Sequence, residues 1–143
     1  MKSKNKNIRK RLKIKSTTDN LALVREFIKA AALDVGFNNE ETGRIILASD
    51  EAVTNVIKHA YNYSKNKDIF VSVSFSKNKF SISISDRGKH FDPEKIKEPD
   101  LQKYYKEKRV GGLGIYLMKK LMDEVKYSKQ NDRNKVTLVK YLR

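Results

Sequence analysis

Residues 38–61 read NNEETGRIILASDEAVTNVIKHAY, and this pattern predicts one long helix that starts at Asn38 or Asn39. Apolar residues recur along one side of it at helical spacing. They are Ile45, Ile46, Ala52, Val53, Val56, Ile57 and Ala60. Glu51 and Asn55 lie four residues apart, so they share a face and stack one turn apart beside the apolar stripe. The segment therefore predicts a helix that packs on a core and carries a polar pair.

The polar pair has two interpretations. The carboxamide oxygen of Asn55 suits Mg²⁺, which prefers oxygen ligands and keeps waters and phosphate oxygens in its other positions. The carboxylate of Glu51, one turn away, is suited to take a proton from an attacking hydroxyl group or water. The alternative is that both residues simply lie on the solvent side of an ordinary helix. The pair by itself does not decide between the two.

Strands and another helix are predicted around this segment. Residues 8–15 (IRKRLKIK) alternate apolar and basic side chains, which predicts an edge strand whose lysines discourage aggregation. Helical spacing predicts a first helix after the capping residues 16–19, with Gly36 as its C-cap. Residues 69–75 and 80–84 alternate apolar and polar side chains on either side of a short link, which predicts a hairpin.

The last third of the chain is less regular. Residues 92–110 are charged, hold both prolines and lack a clean period, which indicates a mobile loop of the kind that is often functional. Residues 111–114 (GGLG) open a third helix, and residues 125–129 and 136–142 form two more strands. This order predicts an α+β fold, a two-layer sandwich whose mixed, mostly antiparallel sheet is covered on one face by about three helices. Serines indicate a partly solvated second face: Ser72, Ser74, Ser81, Ser83 and Ser85.

Two further short segments carry candidate binding groups. Asp86 follows a buried strand, where its carboxylate can accept a hydrogen bond from an adenine amino group, and Gly88 lets the backbone approach a flat base closely. The glycines within residues 111–114 permit a tight bend, and the helix start offers free N–H groups and partial positive charge to phosphates. Each segment also has a simpler interpretation, a strand-ending turn in the first case and a flexible loop before a helix in the second.

Composition restricts the class of protein. The 143 residues suit one domain, and the absence of cysteine excludes disulfides and thiol chemistry. Two histidines without any cysteine disfavour a structural zinc site. The chain has no apolar run long enough to span a membrane, and its first residues lack the apolar core of a secretory signal. A cytoplasmic location without a membrane partner is therefore expected.

The net charge of +15 is unevenly distributed. Residues 1–15 hold eight Lys or Arg and no acidic residue. One interpretation is an arm that binds nucleic acid or an acidic partner, and the other is a solvated, lysine-rich tail. Because block charge alone is weak support for the arm, direct nucleic-acid binding is not expected. We treat residues 1–15 as a basic N-terminal extension or edge strand, and residues 16–143 as the main domain.

The three motifs occur in a fixed order, at mid-helix, at a strand end and at a helix start. Together they resemble the sequence boxes of the Bergerat-fold (GHKL) ATPases, whose ATPase domain is histidine-kinase-like. Residues 51–61 (EAVTNVIKHAY) resemble the N-box, residues 86–93 (DRGKHFDP) the first glycine box and residues 111–125 (GGLGIYLMKKLMDEV) the second. The Glu-Ala-x-x-Asn box, the Phe-Asp-Pro ending and the Leu-Met-Asp-Glu-Val helix end are similar in particular to bacterial anti-sigma factor serine-protein kinases. The resemblance covers about residues 16–142.

The resemblance implies a role for each residue of the motifs. Asn55 would bind a Mg²⁺ ion that bridges the phosphates of ATP, and Glu51 would be the general base. Asp86 would contact the adenine amino group, with Gly88 beside the ring. The remaining implied ATP contacts are the backbone N–H groups of Gly112, Leu113 and Gly114 and the strand residue Thr137.

The resemblance does not decide which lid residues contact the phosphates, or what His90 does. Residues 94–110 would form the ATP lid, with Arg109 or Lys108 as candidate phosphate contacts. Lys89 and His90 depart from the small or proline-rich residues that are frequent in the first glycine box. His90 is either a surface residue or a nucleotide contact.

The function implied by the resemblance is that of a kinase, which transfers the γ-phosphoryl group of ATP to a serine of a small antagonist protein. The antagonist and a sigma factor would compete for one surface, so that phosphorylation switches partners, and homodimers are common in the family. The alternative is a non-catalytic ATP-binding module of the same fold that sequesters a regulator. The catalytic half of a histidine kinase is not expected, because the chain is too short for a dimerisation helix pair.

Overall fold

The computed structural model of the chain describes residues 6–90 and 114–143. Within these ranges, five strands form one sheet and three α-helices cover one of its faces. The strands are β1 (Ile8–Lys15), β2 (Asp68–Ser76), β3 (Lys79–Asp86), β4 (Glu124–Gln130) and β5 (Arg133–Tyr141). The helices are α1 (Leu21–Val35), α2 (Asn39–Asn55) and α3 (Gly114–Leu121). The sheet order is β1-β2-β3-β5-β4.

This architecture confirms the predicted two-layer α+β sandwich. Every pairing among the described strands is antiparallel, so the sheet is not mixed as the sequence had suggested. Strand β1 lies at one edge, as the alternation of residues 8–15 predicts, and its register runs from Ile8 opposite Phe75 to Lys15 opposite Asp68. None of the described helices has the length and apolar character needed to cross a membrane.

Alternation along the strands divides the sheet into two faces. Most of the apolar side chains point to the helices, and the largest fully buried ones are Ile69, Phe75, Phe80, Ile82, Ile84 and Leu138. The opposite face carries the predicted serines, four of which are partly exposed as expected: Ser72, Ser74, Ser81 and Ser83. The prediction is wrong for Ser85, which is buried. Its register partners are the much larger Phe70 and Lys135, which flank it on either side.

Helix α2 is the element that positions the candidate site. Asn38 caps it, because Oδ1 of this residue accepts a hydrogen bond from the backbone N–H of Glu41 at 2.8 Å. The α-helical geometry ends at Asn55, and Val56–Ala60 continues as one π-helical turn where a regular helix to Tyr61 was predicted. Turns of this kind are frequent at functional sites.

Helix α3 packs against α2 and contributes the buried side chain of Met118 to the core. It is described from Gly114 onwards. The predicted start of this helix at residue 111 and the predicted lid at residues 94–110 lie outside the described residues.

Candidate functional site

Helices α2 and α3 meet at a polar contact. The backbone of Gly114 lies so close to α2 that a Cβ at this position would be 2.7 Å from Oε2 of Glu51. The same Cβ would be 3.4 Å from Oδ1 and 3.5 Å from Nδ2 of Asn55. The structure thus brings the predicted polar pair to the start of the predicted phosphate-binding helix. Any side chain at position 114 would have to displace Glu51.

Glu51 is partly buried beside this contact. Burial raises the pKa of its carboxyl group above the usual value. The ammonium group of Lys58 opposes the rise, and the carboxylate of Asp50 adds to it. Because a carboxylate with a raised pKa is a stronger base, Glu51 is suited to accept a proton.

The side-chain amide of Asn55 has a buried nitrogen without a hydrogen-bond partner among the described residues. An unpaired buried amide costs about 1–3 kcal/mol, so the arrangement suits a group that is completed by a ligand. The carboxamide oxygen is of the type that Mg²⁺ binds, which makes Asn55 compatible with the implied metal. No cluster of three His, Asp or Glu in the described part of the chain could hold a metal. A Mg²⁺ ion at Asn55 would therefore depend on phosphate oxygens and waters for its other ligands.

Asp86 is the last residue of β3 and is 4% exposed. Its Oδ1 accepts hydrogen bonds from the backbone N–H of Gly88 at 2.8 Å and from Nδ2 of Asn134 at 2.9 Å. Burial raises the pKa of Asp86, although these two hydrogen bonds and the nearby His90 oppose the rise. Both described hydrogen bonds reach Oδ1, so Oδ2 is available to accept a hydrogen bond from a ligand.

Gly88 packs on the end of the π-helical turn. A Cβ at this position would overlap the carbonyl group of Ala60 and would lie 2.8 Å from Cδ1 of Tyr61. The next residue, Lys89, donates its backbone N–H to the Ala60 carbonyl at 2.7 Å. The described contacts require a glycine here for joining β3 to the π-helical turn that follows α2, and the predicted place of Gly88 beside a flat base stays a prediction. The joint holds Asp86 beside the helix.

Asn134 is a candidate site residue that sequence reasoning missed, because it lies in a predicted turn. Its register partner in β3 is Asp86, and its Nδ2 also donates to the carbonyl of Gly88 at 3.0 Å. Its Oδ1 lies 3.3 Å from Nδ1 of His90, which donates in the tautomer that carries a proton there. Asn134 lies beside Asp86 only because of the register between β3 and β5. The pattern of apolar residues in the sequence does not predict which residues pair across two strands.

Thr137, which the resemblance assigned to adenine binding, lies on the other face of the sheet. It pairs with Ser83, and the two hydroxyl oxygens are 3.4 Å apart. Its neighbours Val136 and Leu138 are buried on the helix side, so the alternation of β5 turns Thr137 away from Asp86. The structure therefore corrects this assignment, and Asn134 occupies the place beside Asp86.

A cavity lies between α2, α3 and the ends of β3 and β5. Its polar lining includes Asn55, Asp86, His90 and Asn134, and its apolar lining consists of Ala52, Val56, Ile84, Met118 and Val136. Apolar walls with a few convergent polar groups are typical of small-molecule sites. His90 is exposed and also lines this cavity, so its role as a nucleotide contact stays a prediction. The predicted contacts Gly112, Leu113, Lys108 and Arg109 lie outside the described residues.

Comparison with known proteins gives the same family from sequence. The model of the histidine kinase-like ATPase domain matches residues 14–140. The serine-protein kinase RsbW of Oceanobacillus iheyensis is 32% identical over 124 residues, which cover 83% of this chain and 78% of that protein. The protein of the same name from Bacillus velezensis is 32% identical over 136 residues, which cover 92% of this chain and 84% of that protein.

Two solved structures share the fold at lower sequence identity. The RsbU and RsbW domains of a Mycobacterium tuberculosis protein superpose with a TM-score of 0.67 at 16% identity, over 94% of this chain and 32% of that chain. The SiaB–SiaC complex of Pseudomonas aeruginosa gives a TM-score of 0.64 at 15% identity, over 90% of this chain and 88% of that chain. These two structures support the fold, and the sequence matches show that the chain belongs to the histidine kinase-like ATPase family and, within it, to the bacterial anti-sigma factor serine-protein kinases.

Proposed function

We propose that this chain binds Mg²⁺–ATP in the cavity between α2, α3 and the sheet and phosphorylates a serine of a partner protein. The observation that carries the proposal is the contact of Gly114 with both Glu51 and Asn55. The candidate base Glu51 and the candidate metal ligand Asn55 lie one turn apart on α2, and both are next to the start of α3. The RsbW relatives are named serine-protein kinases, which supports the same reaction here.

The cavity suits the adenine end of the nucleotide. Apolar side chains such as Ile84 and Met118 provide walls for the faces of a flat base. Oδ2 of Asp86 would accept a hydrogen bond from the adenine amino group, while Asn134 and Gly88 hold the carboxylate through Oδ1. This arrangement favours adenine over guanine, because guanine presents a carbonyl oxygen where adenine has its amino group.

The phosphates would extend from the base towards the start of α3. Free backbone N–H groups and the helix dipole at this end attract phosphate oxygens. Mg²⁺, when bound, would neutralise part of the charge that develops during phosphoryl transfer. Asn55 would hold that ion through its side-chain oxygen and would position the γ-phosphate relative to Glu51.

Glu51 would act on the attacking serine. Its carboxylate would accept the hydroxyl proton as the serine oxygen forms a bond to the γ-phosphorus and the bond to the leaving ADP oxygen breaks. Burial raises the pKa of Glu51, which makes it a better acceptor for this proton than an exposed carboxylate. The position of Glu51 at the start of α3, beside Asn55, supports catalysis over the alternative, a non-catalytic ATP-binding module that sequesters a regulator.

The proposed partners are those that the family resemblance implies. The substrate would be a small antagonist protein, and a sigma factor would compete with the unphosphorylated antagonist for a surface of this chain. Phosphorylation would then switch the partner. The SiaB–SiaC structure is a complex of a related fold with a second protein, which is consistent with this kind of pairing. A homodimer stays a prediction.

A transfer assay with γ-labelled ATP and candidate antagonist proteins tests the proposal. Glu51→Gln should bind Mg²⁺–ATP but fail to label the antagonist, with a loss of roughly 100-fold or more. The matched control is Glu40→Gln, the same change on the exposed side of α2, where the side chain pairs with Arg44 at 2.8 Å. Undiminished labelling by Glu51→Gln would rule out Glu51 as the base. ATP binding by the wild type without any transfer would instead support the non-catalytic module.

A further inference from the structure

The π-helical turn that follows α2 decides where Tyr61 lies. The backbone N–H of Tyr61 donates to the carbonyl of Val56 at 2.9 Å, five residues back, where an α-helix would bond four residues back. The wider turn holds one more residue, and each residue of an α-helix rotates the chain by about 100°. Tyr61 therefore points in another direction than the regular helix predicted from the sequence would give it, and it is 8% exposed.

The hydroxyl group of Tyr61 lies between the ends of two strands. It donates to the backbone carbonyl of Asp68 at 2.6 Å and accepts from the backbone N–H of Arg87 at 2.8 Å. The pairing of β2 with β3 ends at Phe70 opposite Ser85, and the same register carried two residues further would place Asp68 opposite Arg87. The hydroxyl thus bridges two facing backbone groups just beyond the last direct pair of the two strands.

The end of the π-helical turn also holds the segment that follows Asp86. The carbonyl of Ala60 accepts from the backbone N–H of Lys89 at 2.7 Å, and a Cβ at Gly88 would lie 2.8 Å from Cδ1 of Tyr61. With the bond to the hydroxyl, all three residues that follow Asp86 contact this turn. Gly88 in its turn donates its backbone N–H to Oδ1 of Asp86 at 2.8 Å. The orientation of the Asp86 carboxylate therefore depends on the position of this segment.

A phenylalanine at position 61 would keep the packing of the ring but not the bridge. Burial raises the pKa of Tyr61, so its hydroxyl carries its proton at neutral pH and can donate to Asp68 while it accepts from Arg87. Without the hydroxyl, these two backbone groups lose a partner, which favours their movement towards each other or towards water. Either movement shifts the segment that orients Asp86.

We propose that Tyr61 is a positioning residue for adenine recognition, whose hydroxyl fixes the segment after β3 so that Oδ2 of Asp86 faces the amino group of the base. This inference rests on the proposed function, because it takes the contact of Asp86 with adenine from it. Tyr61 is not among the residues that line the nucleotide cavity, so it acts through Asp86 and not by touching the nucleotide.

Calorimetric titration of the wild type and Tyr61→Phe with two Mg²⁺–nucleotides tests the proposal. One nucleotide is ATP, and the other is purine riboside triphosphate, which carries a hydrogen in place of the amino group. The wild type should bind ATP roughly tenfold more tightly than the analogue, because only ATP donates to Asp86. Tyr61→Phe should lose most of this preference through weaker binding of ATP, with binding of the analogue unchanged. Tyr63→Phe is the matched control, the same change at a tyrosine that is 60% exposed, and it should retain the full preference.

The outcomes separate this inference from the proposed function. A wild-type preference for ATP that Tyr61→Phe retains in full would overturn the role of Tyr61 and leave the proposed function intact. Equal binding of the two nucleotides by the wild type would overturn the contact of Asp86 with the amino group, and this inference with it. An equal loss for both nucleotides in Tyr61→Phe would show a general effect on the cavity and would also overturn the inference.

Should Tyr61→Phe fail to fold by circular dichroism, hydrogen exchange of the Arg87 amide in the wild type tests the same coupling by NMR. Coupling between two contacts is reciprocal, so a hydroxyl that aids recognition of the amino group is itself held more firmly when the amino group is bound. The Arg87 amide, which donates to this hydroxyl, should exchange more slowly in saturating ATP than in saturating purine riboside triphosphate. Equal exchange rates would overturn the inference.

Discussion

The two faces of this sheet are made by the same strands and have opposite chemistry. In β5, Asn134 and Val136 line the cavity, while Arg133 and Thr137 lie on the sheet face that points away from the helices, which we name the open face. The cavity side buries the carboxylate of Asp86, whose pKa is raised by burial, whereas the open face carries mostly cations, of which Lys15 and Lys126 form salt bridges with Asp68 and Glu124. The difference teaches that the register of the strands decides to which face of the sheet a residue belongs, and so whether it can line the cavity.

The largest expected effect comes from breaking the joint between the end of β3 and the π-helical turn, on the cavity side of the sheet. Gly88→Ala would press a methyl group into the Ala60 carbonyl, a backbone group that cannot move aside easily. We expect a loss of about 1–3 kcal/mol in the free energy of unfolding. Chemical denaturation measures it. Gly43→Ala is the control, because its Cβ would meet no atom within 4 Å and alanine should stabilise the helix by about 0.5–1 kcal/mol. Equal stability of the two variants would contradict the described joint.

A comparison within β5 sharpens the distinction between the faces. Asn134→Ala removes the side chain that holds Asp86 and should weaken ATP binding by roughly tenfold, since about 1 kcal/mol or more is lost with a hydrogen bond to a charged group. Thr137→Val, on the open face, should leave ATP affinity unchanged. Calorimetric titration of Mg²⁺–ATP measures both. A larger effect of Thr137→Val would restore the original assignment of this residue to the adenine site.

A smaller effect is expected in the pH dependence of the phosphoryl-transfer rate. It tests the role of Glu51 only, and not the open face. Because burial raises the pKa of Glu51, the carboxylate becomes protonated, and the rate falls, at a higher pH than for an exposed glutamate. Lys58→Gln removes a charge that lowers this pKa, so the acid limb of the rate profile should move to still higher pH. Lys119→Gln, an exposed lysine on α3, is the control. An acid limb that Lys58→Gln leaves in place would contradict the role of Glu51.

Much of the fold could be predicted from the sequence, because apolar periodicity reports burial directly. The helical stripe from Ile45 to Val53, the hairpin of β2 and β3 and the Gly36 C-cap all follow from local pattern. The φ of 117° at Gly36 is the left-handed conformation that such a cap requires. Two of the site segments, at Glu51 and at Gly114, also come together as expected.

The rest depended on facts that a local pattern does not contain. The positions of Asn134 and Thr137 depend on strand register, and a shift of one residue exchanges the two faces. The burial of Ser85 depends on the size of its neighbours across the sheet. The basic character of the open face depends on which strands become neighbours, and β1 and β2 are separated in sequence by two helices.

The central claim is that the start of α3 and the Glu51/Asn55 pair together bind the phosphates of Mg²⁺–ATP. Calorimetric titration of Gly114→Ala against the wild type tests it most directly, because the added methyl group would lie 2.7 Å from Glu51 Oε2. We predict that Mg²⁺–ATP binds the variant at least about tenfold more weakly, while adenosine, which lacks phosphates, binds both proteins equally. Equal affinity of both proteins for Mg²⁺–ATP would contradict the account.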